Sequence, residues 1–283
     1  MDEITTIPAL RERLAAARAQ GRRIGFVPTM GFLHEGHLAL VDDARAHSDC
    51  VVTSIFVNPL QFAPGEDFAR YPRDLIRDRA LAASRDVDLL FVPSAEEMYA
   101  AGRDIRVNAG AIGDRWEGGV RPGHFDGVLT VVARLFNLVQ PDVACFGQKD
   151  IQQVTLIRRM IAQLGFPLTL RVVPTLRDAD GLAMSSRNTY LAPDDRARAL
   201  ALSRALRGAD AAWAGGERRA ARLAAVMESA LSAEGLAADY VAIVEPDTLK
   251  EVADAPAGTI IALAVRVGST RLIDNIILGM ERA

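Results

Sequence analysis

The chain has 283 residues, of which 50% are hydrophobic and 24% charged, and its formal net charge is −3. That length allows one large domain or two ordinary ones around a sizeable core, and the modest charge argues against a polyanion-binding surface, so no nucleic-acid partner is expected. No apolar run approaches the length of a membrane span, and the N-terminus lacks the basic-then-apolar layout of a signal peptide. The expectation is a cytoplasmic protein with no membrane partner. Cys50 and Cys145 each sit in an apolar stretch and read as reduced core residues.

Strands and helices alternate through the first part, the pattern of a parallel sheet with crossover helices. Residues 24–28 read as a short buried strand. Residues 35–47 read as a helix with Leu38, Leu40, Val41 and Ala44 on its apolar face. Residues 51–57 form a second, β-branched strand, 74–84 a helix and 88–92 a third strand. A helix over 125–139, a strand over 143–146, a helix over 150–164 and a strand over 168–173 complete this unit. Beyond Pro174 the character changes. An Ala- and Arg-rich helix spans about 193–212, with Pro193 suited to its first turn, and a second covers 217–231. Three strand-like segments follow, 240–244, 259–267 and 270–277. The fold class is therefore α/β: a parallel-sheet domain over 1–175 and a smaller α+β domain over 176–283. The Ala/Arg bias of the second part reads as helical surface, and the Asp42-Asp43 and Asp194-Asp195 pairs as solvated helix residues.

Most of the chemistry concentrates at strand-to-helix turns. Pro28-Thr29-Met30-Gly31-Phe32-Leu33-His34-Glu35-Gly36-His37 leaves the first strand and opens a helix, which puts unpaired backbone N–H groups and the positive end of a helix dipole at the sheet edge. His34 and His37 are three apart and share a helix face, where they can donate to phosphate oxygens and stabilise charge on a leaving pyrophosphate. Capping or surface roles are the bland alternative. A zinc pair is weaker, because no Cys or third His lies nearby at ligand spacing. Phe146-Gly147-Gln148-Lys149-Asp150 marks a second such turn, with Lys149 as a point charge for phosphate and Asp150 as a ribose or capping residue. Met184-Ser185-Ser186-Arg187-Asn188 follows Asp178-Ala179-Asp180-Gly181 and can clamp phosphate oxygens or simply form a surface turn. Amides cluster at Asn58-Pro59-Leu60-Gln61-Phe62 and at Gln152-Gln153, fit to hold the hydroxyls and carboxylate of a small polar substrate. Arg121-Pro122-Gly123-His124-Phe125-Asp126-Gly127 reads equally as a substrate-covering loop or as turn chemistry at the start of a helix. No Walker-type loop and no Gly-x-Ser-x-Gly elbow is present.

The His34-Glu35-Gly36-His37 element resembles the His-x-Gly-His signature of the nucleotidyltransferase superfamily. The longer strings resemble the pantothenate synthetase family: residues 28–31, 56–62, 71–73, 121–125, Phe146-Gly147 with Lys149-Asp150, 180–188 and 270–275. The likeness runs in register from about Ile24 to about Asn275. It implies an ATP-dependent ligase that activates pantoate as an acyl-adenylate and joins it to β-alanine. It also implies a Rossmann-like N-terminal domain, a smaller C-terminal α+β domain acting as a lid, and a homodimer formed through the N-terminal domains. By position, His34, His37, Lys149, Ser185, Ser186 and Arg187 would hold the ATP phosphates and Gly147 and Asp150 the ribose, with Met30, Leu176 and Met184 also in the ATP site. His37, His34 and Lys149 would be the catalytic groups. Gln61 and Gln153 would hold pantoate, with Met30 alongside, and Asp78 matches an acidic position near a Mg2+ ion. Two departures stand out: Gln148 where the family usually has Glu, and Arg77 where an acidic residue is expected beside Asp78. An adenylyltransferase acting on a phosphorylated acceptor, and a nucleotide-binding regulator without catalysis, are the rival readings.

Overall fold

The protein is described as a computed structural model over residues 1–280. It divides into two compact units, Met1–Gly147 with Leu156–Val173, and Gln148–Thr155 with Pro174–Ala283. The second unit includes the turn carrying Lys149 and the start of the following helix, which the sequence reading places with the first domain.

The first unit runs β1 (Asp2–Ile4), α1 (Ile7–Ala19), β2 (Ile24–Thr29), α2 (Glu35–His47), β3 (Cys50–Ile55), α3 (Leu75–Ser84), β4 (Leu89–Phe91) and α4 (Ala95–Tyr99). Short helices α5 (Gly110–Gly113) and α6 (Glu117–Val120) lead into α7 (His124–Val139), β5 (Val143–Gly147), α8 (Ile151–Leu164) and β6 (Thr169–Val173). The strands form one sheet in the order β1-β4-β3-β2-β5-β6, and every pairing is parallel. Helices on both faces explain why β3 reads Cys-Val-Val-Thr-Ser with no polar-out alternation: all five positions are buried. From β2 the chain steps through β3 to β4 on one side, then returns to place β5 and β6 on the other. The order therefore reverses between β2 and β5, the position where open α/β sheets leave a crevice for ligands. Pairing of β2 with β5 covers only Gly25 and Phe26, so Pro28, which has no N–H to give, falls where that ladder has already ended.

One core of this unit joins Val27, Leu40, Val41, Ala44, Val51, Leu90, Val143 and Cys145. Cys50 and Cys145 are free and buried, and burial pushes the Cys145 thiol far above its ordinary range. Asp43 departs from the solvated role expected of it. Its carboxylate accepts from Arg171 Nη2 at 2.8 Å and from the Cys145 thiol at 3.4 Å, and the Arg171 hydrogen bond is the main reason its pKa is lowered. A helix-surface aspartate is thus drawn into a cross-sheet ion pair with β6.

The second unit contains α9 (Pro193–Ala214), α10 (Ala220–Ser232) and an antiparallel sheet β7 (Ala238–Val244), β8 (Ile260–Val267) and β9 (Thr270–Ile277) in sequential order. Its alanines are not surface. Ala199, Ala201, Ala205 and Ala209 are fully buried among Leu202, Leu206, Leu223, Met227 and the inward positions of β8. Small side chains let α9 lie close to its neighbours, and the arginines between them carry the polar face. Asp178 and Asp180 are both paired with Arg196 at 2.8 Å.

Candidate active site

The turn after β2 is built from three supports. Thr29 donates its hydroxyl to Ser54 O at 2.7 Å and accepts from the Gly31 N–H at 3.1 Å. Gly31 has φ +81°, and a Cβ there would stand 2.8 Å from Ile55 Cγ2 and 3.0 Å from Asp78 Oδ2, so glycine is required on both counts. Asp78, on α3, then receives the next two amides: Phe32 N–H at 2.8 Å on Oδ2 and Leu33 N–H at 2.7 Å on Oδ1. Phe32 is itself held at φ 51°, a left-handed conformation that needs external support. Arg77 lies over the Phe32 ring at 5.3 Å. Asp78 is 1% exposed, and burial raises its pKa against the lowering effect of the two amides. A buried carboxylate with an amide on each oxygen does not fit a direct magnesium ligand. Among the described residues no three His, Cys, Asp or Glu side chains gather to hold a metal ion.

His34 and His37 cap α2 reciprocally. His34 Nδ1 accepts from the Gly36 N–H at 3.1 Å, and His37 Nδ1 accepts from the His34 N–H at 3.3 Å. A ring nitrogen that accepts carries no proton, so each neutral ring holds its proton on Nε2. Using Nδ1 for the cap fixes Nε2–H as the donor of each ring. The rings lie 4.1 Å apart, centroid to centroid, at the positive end of α2.

Gln61 ends a short 3-10 turn, Pro59–Gln61, and is 8% exposed. Its Oε1 accepts from Asn58 Nδ2 at 3.2 Å, and its Nε2 lies 3.1 Å from Met30 Sδ. The sequence reading pairs Gln61 and Met30, and the first unit brings them into contact. Asn58 is anchored in turn: Tyr99 donates its hydroxyl to Asn58 Oδ1 at 2.6 Å, and Asn58 Nδ2 donates to Gly127 O at 3.1 Å. Burial pushes the Tyr99 phenol up to about 12, so it stays a donor. The 121–127 segment leads from the end of α6 into the first turn of α7, and it braces the Pro59–Gln61 turn. Arg121 is paired with Glu66 at 2.6 Å, and its Nη2 donates to Gln61 O at 3.3 Å. At Gly127 a Cβ would fall 2.2 Å from Leu60 O, so only glycine lets α7 approach this closely.

His124 sits between Arg121 Nη1, 3.0 Å from its Nε2, and Gln61 O, 2.8 Å from its Nδ1. Arginine can only donate and a carbonyl only accept, so the proton is on Nδ1 and the ring is neutral. Burial, aided by the Arg121 charge, lowers its pKa from 6.5 to about 4. Between those values the unfolded chain binds a proton that the native state refuses. Stability is accordingly complete above pH 6.5 and falls as pH drops towards 4, by roughly 3 kcal/mol over the window. Urea denaturation across that range should show a steeper loss for the wild type than for His124→Asn, which keeps a donor but cannot titrate; parallel curves would remove His124 as the source.

In the second unit, Lys149 is half-buried beside Asp150, with Nζ 4.0 Å from Oδ1. Asn275 on β9 holds the turn: its Nδ2 donates to Gln148 O at 3.0 Å and Lys149 O at 2.8 Å, while Gln148 Nε2 donates to its Oδ1 at 3.2 Å. Gln148 therefore binds β9. The Ser185–Arg187 segment leaves a hairpin-like loop closed by Met184 N–H to Leu176 O at 3.0 Å. Ser185 caps the short helix that follows, accepting from Arg187 N–H at 3.3 Å, and Ser186 is buried. Gln153 is half-buried on α8. Sequence reasoning missed Asp78 as a loop support and missed Tyr99 altogether; Asp274 and Asn275 fell within the family-like 270–275 string but were given no role. Asp274 and Asn275 carried a signal, since two polar residues interrupt a β-branched strand.

A parallel sheet whose order reverses between β2 and β5, with a histidine-capped helix opening beside that point, defines a doubly wound α/β protein. Comparison with known proteins is specific. The Pantoate-beta-alanine ligase family matches residues 2–277. The pantothenate synthetase of Moorella thermoacetica is 54% identical over 98% of this chain and 99% of its own, and that of Agrobacterium fabrum is 53% identical over 99% and 96%. Among solved structures, the Thermus thermophilus pantothenate synthetase is 51% identical, with a TM-score of 0.93 over 98% of this chain and 99% of its own. The Francisella tularensis pantoate-β-alanine ligase, solved in complex with β-γ ATP and β-alanine, is 33% identical, with a TM-score of 0.83 over 100% of both chains. The chain belongs to the pantoate–β-alanine ligase family.

Proposed function

We propose that this enzyme condenses pantoate with β-alanine to give pantothenate, in two half-reactions driven by ATP. The observation that carries this is the reciprocal cap of His34 and His37, which fixes two Nε2–H donors at the sheet's switch point in a chain matched to the family over residues 2–277. In the first half-reaction a pantoate carboxylate oxygen attacks the α-phosphorus, the bond to the bridging oxygen breaks, and pyrophosphate leaves with the electron pair. His34, His37, Lys149 and the Ser185–Ser186–Arg187 clamp stabilise the phosphate charge, with Gly147 and Asp150 on the ribose and Met30, Leu176 and Met184 completing the ATP site. Gln61, Gln153 and Met30 hold pantoate. In the second, the amine of β-alanine attacks the acyl carbon of pantoyl-adenylate, AMP departs, and the amine's surplus proton passes to solvent. The protein supplies no nucleophile, so positioning and electrostatics carry the acceleration. Mg2+ would enter with ATP, neutralising its phosphates and held by them and by water. The second unit acting as a lid would shield the mixed anhydride from hydrolysis. Two free buried cysteines suit the reducing cytoplasm, and a homodimer is the expected assembly. Among the described residues no helix is long and apolar enough to cross a membrane.

The test is AMP release with Mg-ATP, pantoate and β-alanine, each omitted in turn. AMP should require all three, and pyrophosphate should exchange into ATP with pantoate alone; AMP without β-alanine would overturn the order. His37→Ala should slow adenylation about 10² to 10³-fold and slow the reaction of isolated pantoyl-adenylate with β-alanine much less. Equal losses in both halves would contradict the phosphate role.

A further inference from the structure

We propose that Asn275, with Asp274 beside it, is a positioning residue that sets Lys149 for ATP, an inference that rests on the reading of Lys149 as a phosphate ligand. Asn275 is 1% exposed and Asp274 2%, side by side in a strand whose other buried positions are Thr270 and Leu272. Buried polar side chains are retained where their hydrogen bonds hold something that an apolar residue could not. Every hydrogen bond of the Asn275 amide goes to one place: both Nδ2 donors hold the consecutive carbonyls of Gln148 and Lys149, and Oδ1 receives the Gln148 side chain. Two adjacent carbonyls pinned to a rigid strand fix the peptide planes of the 148–150 turn. That fixes the direction in which the Lys149 Cα–Cβ bond leaves the backbone, which matters because lysine is a point charge on a long flexible stem.

The Asp274 side chain faces the other clamp. It takes both guanidinium nitrogens of Arg177, at 2.6 and 3.0 Å, and accepts the Asn275 N–H at 2.8 Å. Arg177 also donates to Gly181 O at 3.3 Å and bridges to Ala183, two residues before Ser185. Two neighbouring residues of β9 therefore anchor both of the second unit's phosphate segments, the 148–150 turn and the loop leading into 185–187. Neither residue carries charge to the phosphates; each sets the backbone of the segment that does.

The test is equilibrium binding of a non-hydrolysable ATP analogue by calorimetry, with thermal unfolding measured alongside. Asn275→Ala should weaken binding about tenfold to a hundredfold and leave pantoate KM within about twofold. In a Lys149→Ala background the same substitution should weaken binding no further, although its effect on melting temperature persists, because it acts through Lys149. Asn275→Asp keeps Oδ1 but loses both donors, and should behave like the alanine variant. Gln148→Ala removes one arm from a half-exposed position and should weaken binding several-fold. Independent, multiplicative losses in the double variant would overturn the proposal, as would unchanged binding in folded Asn275→Ala. Should Asn275→Ala fail to fold, unchanged binding in Gln148→Ala would overturn it alone. Normal binding by Lys149→Ala would instead refute the Lys149 reading itself, and the inference with it.

Discussion

Lys149→Ala should abolish pantoate-dependent exchange of pyrophosphate into ATP, by about 10³-fold or more, roughly 4 kcal/mol of transition-state stabilisation. The chain reaches its 33 basic residues almost wholly with arginine; Lys149 and Lys250 are its only lysines. A sequence this strongly biased to arginine keeps a compact, rotatable ammonium at the turn after β5, and the proposed phosphate role predicts that a planar fork could not pivot in its place. Lys149→Arg should therefore restore little of the rate. The fold should be indifferent. Among the described residues, Lys149 pairs with exposed Asp150 at 4.0 Å, an ion pair of the kind that contributes almost nothing to stability. An unchanged melting temperature with lost exchange is the expected pair of results. Near-normal exchange would take Lys149 out of the mechanism, and a large drop in melting temperature would make it structural.

Much of this was legible in the sequence because the signals were local. The α2 helix from Glu35 to His47 and the parallel strands follow from apolar period and β-branched runs, and the turns after β2 and β5 follow from where those runs stop. β1 was too short to show a period, and α1 buries only Leu10, Leu14 and Ala17 on a helix otherwise made largely of arginine, glutamate and alanine. The alanines of α9 read as surface because alanine is equally at home on a helix surface and in a close-packed core; only β8 packed beside it decides. The supports of the site were the least legible. Asp78 stands 46 residues from the Phe32 amide it receives, and Asn275 stands 126 from the Lys149 carbonyl. Such partners leave no spacing to read. His124 illustrates the same limit: its motif could be located, but its neutral state comes from burial and the Arg121 charge, which outweigh the opposing pull of the Gln61 carbonyl.

Asp78→Ala should cost both stability and adenylation, and its dependence on magnesium separates two roles for this carboxylate. If Asp78 holds the loop, its removal leaves the Phe32 and Leu33 amides unsatisfied beneath α3, each costing about 1–3 kcal/mol. Relief from burying the carboxylate, the same effect that raises its pKa, returns part of that. A net loss of about 2–4 kcal/mol follows, visible as a lower urea midpoint. The loop would then relax away from φ +81° at Gly31 and 51° at Phe32, and with it the backbone that presents His34. Adenylation should fall about 10²-fold, since a displacement of about 1 Å is enough. Raising magnesium should recover none of it, because the lost element is the shape of the turn. A variant of normal stability whose rate returns at high magnesium would make Asp78 a metal ligand and leave the turn to be held by Gly31 and Thr29 alone.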